Sequence, residues 1–88
     1  MNLEGFERFC LDYLKRPLLI IRGRKGFLAC AYIDVATCNL TRDACAIVTG
    51  VSSFEQMLSA KVVRVSKAAS DLGVEVGITG ALALELLK

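Results

Sequence analysis

The sequence contains no histidine. That absence removes the side chain that most often serves as general base, the commonest transition-metal ligand and every Ser-His or Cys-His nucleophilic pair. A triad hydrolase is excluded. The four cysteines, Cys10, Cys30, Cys38 and Cys45, include no C-x-x-C spacing, so neither the paired hooks of a zinc ribbon nor a redox dithiol motif is present. No metal site and no cofactor is expected. Long hydrophobic stretches are also missing: an apolar run such as Phe27 to Ile33 falls far short of the roughly 18 to 20 residues of a membrane span. The start, Met1 to Glu7, has neither the cationic segment nor the apolar core of a signal peptide. A cytoplasmic protein with no membrane partner is expected, and in that setting an even cysteine count does not imply disulfides. Reduced thiols that pack as small hydrophobes are the expectation. The net charge of +2 is too small to imply a polyanionic partner, and no aromatic interleaving builds a stacking platform, so nucleic acid is not expected.

What the chain does have is apolar surface. Its 88 residues allow one domain, 1–88, with one core. Yet 55% of them are hydrophobic and the mean hydropathy is +0.52, more than a small monomer needs to fill its interior. The surplus points to a second copy of the chain as partner, hence a homo-oligomer.

The elements follow from periodicity and punctuation. Leu3, Phe6, Cys10, Tyr13 and Leu14 recur at a helical period against Glu4, Glu7, Arg8, Asp12 and Lys15, which predicts a helix over Leu3 to Lys15, capped by Asn2 and ended by Pro17. Leu18 to Ile21 reads as a buried strand. The polar, glycine-bracketed run Arg22 to Gly26 then marks a hairpin loop into a second strand, Phe27 to Ile33. Asp34 caps a short helix from Val35 to Leu40, and Ala44 to Val48 gives a third strand. The ten-residue link from Asp34 to Asp43 is close to the minimum for a crossover, so the third strand is expected to run parallel to the second. Ser52 with Glu55 and Ser53 with Gln56 form overlapping capping boxes for a helix reaching about Ser59. Lys61 to Leu72 reads as an amphipathic helix stopped by Gly73, and Thr79 caps a last helix through Leu87. The expected fold is α/β (α+β): a small three- to four-stranded sheet with a β-hairpin, packed against three to four helices.

Three groups of residues could carry chemistry. The loop residues Arg22, Arg24 and Lys25, with backbone N–H groups freed by Gly23 and Gly26, could hold a phosphate or carboxylate; the plain alternative is a solvated hairpin tip. Gly50, Ser52 and Ser53 form a strand-to-helix passage of the kind that binds anions, although both serines are already explained as helix caps. Cys30 and Asp34 could form a cysteine-carboxylate pair. A carboxylate raises a neighbouring thiol's pKa rather than activating it, so Cys30 as core and Asp34 as helix cap is the simpler reading.

The segment Lys25 to Val35, KGFLACAYIDV, is similar to the YunC-like family, in which a lysine-glycine turn leads to an aromatic, a cysteine and Leu or Ile-Asp-Val. Asn39, Gly50-Val51, the Phe54-Glu55 helix start, Gly73, Gly77, Gly80 and the Ala83-Leu84 pair also fit its pattern. The resemblance runs from Pro17 to the C-terminus, about four fifths of the chain. It implies a small α/β domain of unknown function. Two departures stand out: Ala31 where the family has glycine after the cysteine, and a predicted N-terminal helix, residues 1–16, where the family opens with strands. The function expected is a non-enzymatic, homo-oligomeric module that binds a small anionic ligand or a protein partner. The alternative is an enzyme built on Cys30 and Asp34.

Overall fold

A computed structural model describes residues 1–88. In chain order the elements are β1 (Glu7–Leu11), β2 (Leu18–Arg22), β3 (Phe27–Ala29), α1 (Val35–Thr41), β4 (Cys45–Ile47), α2 (Phe54–Ser59), β5 (Arg64–Val65), α3 (Lys67–Asp71) and α4 (Gly80–Leu87). The strands form one mixed sheet in the order β1-β2-β3-β4-β5. Only β3 and β4 are parallel; the other neighbouring pairs are antiparallel.

The central part follows the sequence-based expectation. Gly23 N–H donates to the Gly26 carbonyl at 2.8 Å, which closes the β2–β3 hairpin with Arg22 opposite Phe27. Asp34 sits at the N-cap of α1, its carboxylate accepting Ala36 N–H at 2.9 Å. The crossover through α1 then returns β4 parallel to β3. Ser53 caps α2 by accepting Gln56 N–H at 3.1 Å, while the Gln56 side-chain carbonyl accepts Ser52 N–H at 2.7 Å. Thr79 caps α4 at Leu82 N–H.

Two predicted helices are replaced. The helix expected over Leu3 to Lys15 is instead strand β1, paired along its length with β2 from Glu7 opposite Arg22 to Leu11 opposite Leu18. The reason is the backbone of β2. Its Leu19 and Ile21 side chains are buried, and its outer N–H and C=O groups need partners, which a strand supplies and a helix does not. Glu7 and Arg22 complete the pairing with an exposed ion pair at 3.0 Å. The helix expected over Lys61 to Leu72 divides at Ser66. Before it, Val65 pairs with Ala46 as β5; after it, α3 begins with Ser66 as its N-cap. With β1 and β5 added, the sheet has five strands rather than three or four. The second strand is shorter than expected, ending at Ala29 before a turn.

The sheet buries both faces near its centre. Leu19, Ile21, Leu28, Ala46 and Val48 face one way and pack with Met57 of α2, Ala69 of α3, and Ala83, Leu84 and Leu87 of α4. On the other face Ala29, Cys45 and Ile47 meet Cys38 of α1, with Ile20 at the margin. Phe9 lies opposite Ile20 on β1 and is 47% exposed.

The thiols also depart from expectation, because Cys38 and Cys45 form a disulfide that ties α1 to β4, leaving Cys10 exposed and Cys30 buried as free cysteines. Two residues that pack against each other across α1 and β4 bring their sulfurs together, which spacing along the chain does not reveal. Alkylating the denatured, unreduced protein is therefore expected to label Cys10 and Cys30 alone. Reduction should cost roughly 2 kcal/mol of stability, from the short loop that the bond closes. Labelling of all four cysteines by mass spectrometry would refute the cross-link.

Candidate functional site

β3 and β4 run parallel, so the chain leaves both at the same end of the sheet, and the antiparallel β2 begins there too. At that end Arg16, Pro17, Cys30, Ala31, Tyr32, Gly50 and Val51 line a cavity of about 190 Å³. A crevice outside the carboxyl ends of parallel strands is where α/β sheets usually receive ligands. Three separate segments build this one: the turn before β2, the exit of β3 and the exit of β4.

Each wall has a local cause. Cys30 is 5% exposed and is held twice by Leu19, its N–H donating to the Leu19 carbonyl at 3.0 Å and its sulfur accepting Leu19 N–H at 3.3 Å. That second bond fixes the thiol's direction. Gly50 has φ +69°, so the chain turns out of β4 through the left-handed region, which a side chain would oppose. Val51 is buried beneath it, while Tyr32 is half exposed. Ala31 also lines the wall. Arg16 is the one charged residue of the lining.

The structure joins Cys30 and Gly50, which the sequence picked out for different reasons, and separates the rest. Asp34 is not part of this cavity; its carboxylate caps α1. Ser52 and Ser53 follow Gly50 but are engaged with Gln56 at the start of α2. Arg22, Arg24 and Lys25 lie at the opposite end of the sheet, in a recess shared with Arg42 and Asp43. Three backbone amides of this stretch are bonded within the fold: Gly23 N–H to the Gly26 carbonyl, Lys25 N–H to the Leu87 carbonyl at 2.9 Å, and Phe27 N–H to the Ala44 carbonyl. Arg22 is paired with Glu7. No three His, Cys, Asp or Glu side chains stand together as a metal site would require. Arg16 and Tyr32 were not singled out from the sequence. The available signal was position: Arg16 directly precedes the lone proline, and Tyr32 follows the β3 exit.

A family model described as "Domain of unknown function (DUF1805)" matches residues 29–87. The chain belongs to the DUF1805 family. It is 34% identical to the uncharacterized protein YunC of Bacillus subtilis (strain 168), over 93% of this chain and 87% of that protein. A crystal structure of a protein of unknown function, TA1206 from Thermoplasma acidophilum, superposes with a TM-score of 0.90 at 35% identity, covering 94% of this chain and 81% of that one. The DUF1805 match takes in Cys30, Ala31, Tyr32, Gly50 and Val51 of the cavity and begins after Arg16 and Pro17. The YunC-like resemblance thus extends beyond the segment that first carried it, and this chain itself opens with strand β1 rather than a helix.

Proposed function

We propose that this protein is a non-enzymatic, homo-oligomeric binding module whose cavity at the carboxyl ends of β3 and β4 takes a small ligand with one anionic group. The observation that carries the reading is the lining itself: a single charged residue, Arg16, among the largely apolar Pro17, Ala31, Tyr32 and Val51. A carboxylate or phosphate would meet Arg16 through charge-assisted hydrogen bonds, and the apolar remainder would lie against the opposite wall. The volume of about 190 Å³ is below the range of drug-sized pockets, about 300 to 1,000 Å³, so the ligand is small. Cys30 supports a binding role over catalysis because it is buried and its sulfur is occupied by Leu19 N–H. Exposed Phe9, Leu11, Tyr13 and Leu14 supply the apolar surface that a second copy would cover.

A thermal-shift screen of phosphate and short-chain carboxylates tests this reading. Ligand at about 100 times its dissociation constant adds roughly 2.7 kcal/mol of stability, which should raise the Tm by several degrees. Arg16→Gln should remove the shift. Indifference to every anion would end the binding proposal. Rapid alkylation of Cys30 in the folded Cys10→Ser variant at neutral pH would instead favour Cys30 as a nucleophile.

A further inference from the structure

We infer that two copies of the chain join through their β1 strands, antiparallel about a two-fold axis at Cys10, so that one sheet runs through both. This inference rests on the homo-oligomeric part of the reading above and names its interface. β1 is the outer strand of the sheet, and all five of its residues are exposed.

The direction of its unpaired backbone groups follows from the ladder. Gly23 N–H bonds Gly26 and Cys30 N–H bonds the Leu19 carbonyl, so Leu19 and Gly23 turn their backbone toward β3. Backbone direction alternates along a strand, so Leu18, Ile20 and Arg22 turn theirs toward β1. Their partners Leu11, Phe9 and Glu7 face back. Arg8, Cys10 and, one residue past the strand, Asp12 therefore present their N–H and C=O groups outward. A second β1 can meet that edge in few two-fold registers. Centred on Arg8, the arginine faces itself. Centred on Phe9, Arg8 faces Cys10 and no charge is matched. Centred on Leu11, Arg8 faces Leu14, and the one opposite-charge pair needs Lys15, four residues past the strand, and Glu7, already paired with Arg22.

Centred on Cys10, Arg8 of one copy lies opposite Asp12 of the other, and Phe9 lies opposite Leu11. Both ion pairs fall on one face. On the other face two Phe9–Leu11 pairs continue the apolar strip that begins at Ile20. Opposite charges and apolar pairs directly across a ladder are each favourable, whereas like charges are not. The same register sets the two Cys10 residues opposite each other as a hydrogen-bonded pair, with Cα atoms about 5.5 Å apart, inside the about 4.4 to 6.8 Å that a disulfide spans.

Sedimentation equilibrium of the full chain tests the interface. The wild type is expected to be a dimer. Arg8→Asp and Asp12→Arg, each confirmed as folded by circular dichroism, should weaken dimerisation at least about tenfold, and the double variant R8D/D12R should restore it. Mild copper-phenanthroline oxidation should yield a covalent dimer that Cys10→Ser abolishes. A monomeric wild type would overturn both this interface and the homo-oligomeric reading. An oligomer that ignores the charge swap and fails to cross-link through Cys10 would overturn the interface alone and leave that reading standing.

Discussion

Gly80→Ala is expected to destabilise the protein by about 3 kcal/mol or more, measured by urea unfolding. Alanine is the better helix former by about 1 kcal/mol, and Gly80 is the first residue of α4, so propensity alone predicts a gain. Packing reverses the sign. A Cβ on Gly80 would collide with the Met57 carbonyl oxygen at the end of α2 and lie 2.9 Å from Leu28 Cδ2 in β3. Neither neighbour can yield easily: one is backbone, the other a buried core side chain. Gly80 N–H also donates to the Ala60 carbonyl at 2.8 Å, which pins the start of α4 where the methyl would have to fit. A variant within 1 kcal/mol of wild type would mean that α4 can slide away from α2 at little cost.

Ser66→Ala should cost about 2 to 4 kcal/mol. Ser66 is 0% exposed. Its hydroxyl accepts Cys45 N–H at 2.9 Å and Ala69 N–H at 3.3 Å, and donates to the Asp43 carbonyl at 2.8 Å. The substitution therefore removes the N-cap of α3 and strands a buried amide of β4, two losses that add. Ser53→Ala is the internal comparison, since Ser53 caps α2 beside solvent and gives up its cap bond alone; about 1 kcal/mol is expected there. Equal losses for the two serines would show that the link between Ser66 and β4 contributes nothing to stability.

Ser66 also marks the limit of what local sequence signals encode. Val62, Val65, Ala69 and Leu72 do fall at a helical period, but the serine within that pattern bonds to residues more than twenty positions earlier, and those partners decide that the chain bends there. β1 was hidden similarly. Its alternating Arg8, Phe9, Cys10 and Leu11 suit either a helix face or a strand, and only the need of β2 for a hydrogen-bonding neighbour settles the matter. By contrast, the Arg22 to Gly26 turn, the Asp34 cap, the crossover to a parallel β4 and the Thr79 cap were legible because each signal lies within a few residues of the structure it makes. The cavity was half visible. Cys30 and Gly50 stand out in the sequence for separate reasons, yet their meeting depends on β3 and β4 being parallel, and Arg16 joins them only because β2 is antiparallel to β3. The cysteine-carboxylate pair was suggested by proximity along the chain, which the turn after β3 converts into two unrelated tasks.

The sheet order repeats the chain order, so most strand contacts form between segments made one after another, a topology that favours rapid folding. α4 is the exception. Its Leu84 and Leu87 complete a core whose other members include Leu19, Ile21 and Leu28, and the Leu87 carbonyl accepts Lys25 N–H across more than sixty residues of chain. During synthesis, then, the hairpin and crossover can form early, but one face of the sheet stays open until residues 80–87 have been made. The interval before α4 docks is the time when the nascent chain is most exposed to aggregation and proteolysis.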